Sequence, residues 1–168
     1  MKHKLLLLYS WFVRISLFWV PDMPFTMRFR GWLYGLGMKR CGKDLQVAYN
    51  AIVKDLENIS VGNHVYFAPS TCIYGHLSIE DEVLIAMGSV VISGNHTSVC
   101  GSYRFGPSDQ GITSIGRGAW VGANCTLLKG AHLPENSVLA ANSCLTKAMA
   151  IPNAIYGGVP ARLIKVHE

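Results

Sequence analysis

The chain has 168 residues, of which half are hydrophobic and only 15% are charged, with a net charge of +5. That length suits one domain with a sizeable core, and so apolar a composition implies that some of the surface is covered. The positive balance suits an anionic partner, such as a phosphorylated cofactor or a membrane surface, but no nucleic-acid motif accompanies it, so nucleic acid is not an expected partner.

Residues 1–40 differ from the rest. Leu5 to Val20 is nearly all apolar, with Arg14 inside it and Lys2 and Lys4 ahead of it. Such a run, interrupted by a charge, is short of the about 20 residues a spanning helix needs. No small-residue cleavage site follows it, and Pro21-Asp22-Met23-Pro24 comes next, which argues against a secretory leader. The pattern predicts one or two amphipathic helices broken at Pro21 and Pro24, with Phe29, Trp32, Leu33 and Leu36 at helical spacing in the second. Two roles stay open. The helices cap the solenoid described next and cover its open strand edge. Alternatively, Lys4, Arg14, Arg28, Arg30, Lys39 and Arg40 rest with the tryptophans on an anionic membrane face as a peripheral contact.

Residues 41–168 form the second region. Gly42 to Asn58 reads as an imperfect first coil, with Leu45, Val47, Ile52, Val53 and Leu56 at strand-like intervals. From Val61 an aliphatic or aromatic residue recurs at every sixth position: Val61, Phe67, Ile73, Ile79, Ile85 and Val91, then Ile115, Val121, Leu127, Leu133, Leu139, Leu145 and Ile151. The fourth residue after each is usually small or apolar, as at Val65, Thr71, Ser89, Ala119, Cys125, Ala131, Ser137 and Ser143. A period of six fits neither a helix nor a plain alternation. It predicts an all-β solenoid of stacked hexapeptide rungs, each short strand sending one side chain inward before a tight corner. Each enclosed Val, Leu or Ile contributes roughly 1.5 to 3 kcal/mol. Val61 and Ile115 are nine hexads apart, so the register looks unbroken between the two blocks.

Thr97 to Ser114 breaks the pattern: Thr97, Tyr103 and Asp109 occupy the aliphatic slots, and Gly101, Gly106, Pro107 and Gly111 point to a protruding loop. Insertions of this kind often build a binding face. Gly157 to Glu168 is expected to close the solenoid, with Pro160 ending the last rung and Leu163, Ile164 and Val166 covering it. His64 and His76 share a hexad offset and fall in exposed corners. The five cysteines lack CxxC spacing, and Cys125 falls at a small repeat position, so reduced thiols in a cytoplasmic protein are expected.

Ser93-Gly94-Asn95-His96 before the loop, Gly116-Arg117-Gly118-Ala119-Trp120-Val121-Gly122-Ala123-Asn124 after it, and Gly157-Gly158-Val159-Pro160-Ala161-Arg162 near the end resemble the hexapeptide-repeat acyltransferases. Within that family the likeness is to bacterial polysaccharide and sugar O-acetyltransferases, and it covers about residues 41–168. The resemblance implies a left-handed parallel β-helix, a homotrimer with active sites between adjacent solenoids, and acetyl-CoA as acyl donor. The acceptor would be a glycan or sugar nucleotide. Where maltose-type relatives carry Ala-Asn-Phe-Asn, this chain has Ala68-Pro69-Ser70-Thr71, which leaves the acceptor open.

On the family's mechanism His96 is the general base, and the acceptor hydroxyl attacks the acetyl carbonyl directly, without an acyl-enzyme. An imidazole with a pKa of about 6.5 suits that role. The family pattern assigns the donor to Trp120, Gly122, Ala123, Ala141, Thr146 and Lys147, with Arg162 and Lys165 meeting its phosphates; Lys129 and Arg117 are further candidates. Trp120 alternatively packs at the trimer contact. Asn95, Tyr103, Arg104, Phe105 and Asp109 are placed to shape the acceptor site. Three other readings stand beside this one: a sugar N-acyltransferase, a solenoid that only assembles or binds, and a γ-class carbonic anhydrase. The last needs three zinc-binding histidines, and position 101, five after His96, is Gly, so no metal is expected.

Overall fold

A computed structural model describes residues 1–167. Helix α1 (Lys2–Ser16) and helix α2 (Pro24–Gly35) precede the solenoid. Pro24 opens α2, where its missing N–H costs no intrahelical bond, and the Thr26 hydroxyl accepts the Met23 N–H at 3.0 Å. The strands that follow stack in parallel on three faces. The first face holds Arg40–Cys41, Ile59–Val61, Leu77–Ile79, Thr113–Ile115 and His132–Leu133. The second holds Gln46–Val47, Tyr66–Phe67, Leu84–Ile85, Trp120–Val121 and Val138–Leu139, and the third holds Ile52–Lys54, Cys72–Tyr74, Val90–Ile92, Thr126–Leu127 and Cys144–Leu145. The result is the expected left-handed parallel β-helix.

The hexad reading holds at its inward positions from Val61 to Leu145, all of which are buried, as are Val65, Thr71, Ser89, Ala119, Cys125, Ala131, Ser137 and Ser143. Corner hydroxyls are satisfied where they are enclosed: Thr71 donates to the Ala68 carbonyl at 2.9 Å and Ser89 to that of Gly122 at 2.8 Å. The third residue after many inward positions is left-handed, including Asn124, Asn136, Asn142, Gly88 and Gly118. Asn and Gly suit that conformation at least steric cost. His64 is such a corner, exposed and 3.1 Å from Asp44, and His76 is also exposed. The five cysteines are free, and burial pushes the Cys125 thiol up.

Two sequence readings gain a physical cause and two are overturned. In the first coil the stacked partners Cys41 and Val61, Val47 and Phe67, and Val53 and Ile73 are 20 positions apart, where later coils take 18. The surplus falls at the corner after Val53, where Asp55 is left-handed and Leu56–Asn58 makes a 3-10 turn, which spoils the phase. Next, Ile79 pairs directly with Ile115, 36 positions on. The loop expected at 97–114 is therefore an excursion as long as one coil, which is why the register on either side of it is unbroken. At the far end, Ile151 is exposed; Tyr156 and Ala154 fill the core instead, and the Tyr156 hydroxyl donates to the Ile151 carbonyl at 2.6 Å. Finally, the tail does not cover the last rung. Ala161–Val166 turns back antiparallel on Ala154–Gly158 and extends the second face, leaving Leu163, Ile164 and Val166 exposed.

The helices do cap the first coil. α1 packs on Ile52–Lys54 and the 3-10 turn, and α2 packs on Gln46–Val47. Their side chains satisfy edge carbonyls that a solenoid end otherwise leaves unpaired: Ser10 donates to Val53, and Arg30 donates to Val47 at 3.2 Å. Arg30 is 2% exposed and paired with Asp22 at 2.6 Å, and Arg28 is paired with Asp44 at 2.5 Å. The buried Arg30 guanidinium therefore does not belong to the predicted membrane face, while Arg28 stays exposed beside its carboxylate partner.

Candidate active site

After the third-face strand Val90–Ile92 the chain leaves the prism as an antiparallel hairpin, Gly94–His96 against Ser108–Gln110. The pairing sets Asn95 opposite Asp109 and His96 opposite Ser108. Ser93 anchors the base: its hydroxyl accepts the His76 N–H at 2.7 Å and donates to Gln110 at 3.3 Å. Above His96, Thr97 donates to the Pro107 carbonyl at 2.7 Å, and Val99 pairs with Ser102 across a turn with Cys100 and Gly101 left-handed. The His96 side chain is exposed and has no hydrogen-bond partner among the described residues. Tyr103, Arg104 and Phe105 are also exposed, with the Arg104 guanidinium 5.8 Å from the centre of the Phe105 ring.

Asp109, expected to meet the acceptor, is engaged by Lys129 of the following coil. Nothing in the hexad pattern pointed to this tie. Thr146 and Lys147 follow the third-face strand Cys144–Leu145 and are exposed at the same corner of the prism, further along its axis. The hairpin, Lys129, Thr146 and Lys147 thus share the edge between the third and first faces.

The other predicted donor residues lie on the second face. Trp120, Gly122, Ala123 and Ala141 line a groove of about 440 Å³ with Tyr66, Leu84 and Val138. Sequence reasoning missed these three partners, although each directly precedes an inward residue and so points outward. Tyr66, Leu84, Trp120 and Val138 stack in register as one apolar column. Gly122 has a packing reason of its own: a Cβ there would come within 2.6 Å of the Leu139 carbonyl oxygen. Arg162 pairs with Gly157 and Lys165 with Ile155, and both basic side chains are exposed on the strand that extends this face. Arg117 stands apart, in a depression with Arg40, Glu80 and Asp81, where its N–H meets Glu80 at 2.9 Å. Within the chain, then, the predicted residues fall into two groups. None of the groove's lining residues comes from the hairpin.

His3, Asp55 and Glu57 are a group of potential metal ligands with their ligand atoms within 4.8 Å of one another. It holds one imidazole, not three. His3 lies 2.7 Å from Glu57 and ties α1 to the first coil, and burial pushes the Asp55 carboxyl up.

Residues 112–147 match the family pattern described as the hexapeptide repeat of succinyl-transferase. Galactoside O-acetyltransferase of Escherichia coli K12 is 30% identical over 183 aligned positions, covering 86% of this chain and 90% of that protein. The chain belongs to the hexapeptide-repeat acyltransferases. A probable macrolide acetyltransferase of Lysinibacillus sphaericus shares 39% identity over 56 residues, 33% of this hexapeptide-repeat chain and only 31% of the relative's length. A hexapeptide-repeat acetyltransferase of Vibrio cholerae, solved with acetyl-CoA, superposes with a TM-score of 0.83 at 19% identity over 97% of this chain and 87% of its own. At that identity the likeness concerns the fold. It extends through the N-terminal helices of this acyltransferase as well as its solenoid.

Proposed function

We propose that the protein transfers an acetyl group from acetyl-CoA to a hydroxyl of a glycan or sugar nucleotide in surface-polysaccharide synthesis, with His96 as general base. The neutral imidazole takes the hydroxyl proton while the oxygen bonds to the acetyl carbon, and the C–S bond breaks to release CoA. Donor and acceptor names among the relatives, acetyl-CoA in the Vibrio protein and a galactoside in the Escherichia protein, support this chemistry.

One observation carries the reading furthest. His96 and the apolar groove lie on different parts of one solenoid, so a complete site needs a second protomer. In a homotrimer the edge bearing His96, Thr146 and Lys147 faces the second face of a neighbour. The pantetheine arm then lies along the column around Trp120, and its phosphates reach Arg162 and Lys165. The column of half-buried Tyr66 and Val138 and exposed Leu84 and Trp120 supports such a contact, since an apolar face of this kind is usually covered.

The test is release of free thiol from acetyl-CoA in the presence of a panel of glycans and sugar nucleotides. His96→Ala is expected to fold normally and to lose about 10² to 10⁴ in turnover. Wild-type turnover in that variant removes His96 from the mechanism.

A further inference from the structure

The two helices bury only one side against the solenoid. On α1, Ser10 and Val13 are enclosed, while Leu5, Leu8, Phe12 and Ile15, spaced three and four apart, are 60%, 61%, 61% and 49% exposed. Trp19, in the turn after α1, is 88% exposed. On α2, Phe25, Phe29 and Trp32 repeat the spacing and are likewise exposed. Three of the four tryptophans of the chain lie in this segment, and all three face solvent.

The charge has the same address. Residues 1–40 hold seven Lys and Arg against one acid, Asp22; residues 41–168 hold eight against nine. The positive balance of the whole chain therefore belongs to the helical segment. With Arg30 buried and Arg28 neutralised at the surface by Asp44, Lys2 and Lys4 flank the exposed stripe of α1 and Lys39 and Arg40 stand beyond α2, all four exposed.

We propose that this face docks in the plane of an anionic phospholipid bilayer. Aromatic and aliphatic side chains in a stripe, tryptophans at the rim and lysines beside them are the chemistry of an interfacial helix. A second copy of the same face is a poorer occupant, because it would bring two cationic surfaces together. Among the described residues no helix is long and apolar enough to cross a membrane, so α1 lies along the bilayer surface. Docking would present the active site to acceptors held at that surface, but it does not depend on the proposed acetyl transfer.

Flotation tests it, using vesicles of phosphatidylcholine with about a quarter phosphatidylglycerol, and vesicles of phosphatidylcholine alone. The full chain is expected to float with the anionic vesicles, to be released as salt rises, and to blue-shift its tryptophan fluorescence on binding. The double variant Leu8→Glu/Phe12→Glu is expected to lower vesicle binding at least about tenfold, since each charge opposes insertion. Its circular dichroism, oligomeric mass and acetylation of a soluble acceptor should be unchanged. Three results overturn the proposal: no binding by the wild type to anionic vesicles, undiminished binding by the variant, or a variant of smaller oligomeric mass. The last would make a second copy the occupant.

Discussion

Lys129 reaches from the corner after the third face to Asp109, on the return strand of the hairpin that carries His96. The neighbouring Gly111 rests on the same lysine: a Cβ there would lie 2.9 Å from its Cγ. Removing the ammonium should free the hairpin base while leaving the solenoid stacked. Lys129→Ala is expected to change stability by less than about 1 kcal/mol, as for other partly exposed pairs. Turnover should fall about tenfold or more, because misplacing a catalytic group is costly. Urea unfolding and steady-state kinetics check both.

Gly31 is where α2 lies closest to the first coil. A Cβ there would stand 1.8 Å from the Leu45 carbonyl oxygen, which is backbone and cannot step aside. Gly31→Ala is expected to destabilise by about 1 to 3 kcal/mol through overpacking, seen as a lower urea midpoint, with α2 lifting first.

Burial pushes the Tyr34 hydroxyl up to about 12, against smaller lowering effects of Arg14 and Arg30. Its folded value thus lies above the unfolded value of about 10. The neutral phenol is favoured in the folded state, so this contribution is complete below about pH 10 and is lost as pH rises toward 12. The variant Tyr34→Phe cannot ionise. It should keep about 2 to 3 kcal/mol more of its neutral-pH stability at pH 12 than the wild type keeps of its own. Urea unfolding of both proteins between pH 8 and 12 checks this, since other titrating groups are common to the two.

Arg162 and Lys165 stand exposed on the strand that extends the groove face. Arg162→Ala/Lys165→Ala is expected to raise the KM for acetyl-CoA about tenfold with little change in kcat, the signature of lost uniform binding. It should also flatten the dependence of that KM on salt.

Val61 to Leu145 was legible because one geometric demand, an inward side chain per rung, repeats without exception among the coils. Where a different demand ruled, the pattern faded or misled. Asp55 and the turn after it add two residues to a corner, Tyr156 supplants Ile151 in the core, and the tail pairs antiparallel instead of plugging the end. The protruding loop was legible because Thr97, Tyr103 and Asp109 break the pattern, but its antiparallel pairing was not, since it follows no period. The tetrapeptide Ser93 to His96 is what singles out His96 as the candidate base. The tie between Lys129 and Asp109 was not legible, since it joins an insertion to a later coil and follows no period. The outward column of Tyr66, Leu84 and Val138 was readable in principle, one place before each inward residue, but spacing alone does not say which of three faces stays uncovered.

The central claim is that His96 of one protomer works against the groove of another. Ala123→Trp would block the groove while leaving His96 in place, and His96→Ala would do the reverse. Each variant alone should be inactive. Co-assembled in equal amounts, the two should recover about a quarter of wild-type turnover, because that share of protomer boundaries joins an intact imidazole to an intact groove. Mixed oligomers shown by native mass spectrometry that recover no activity would contradict the account.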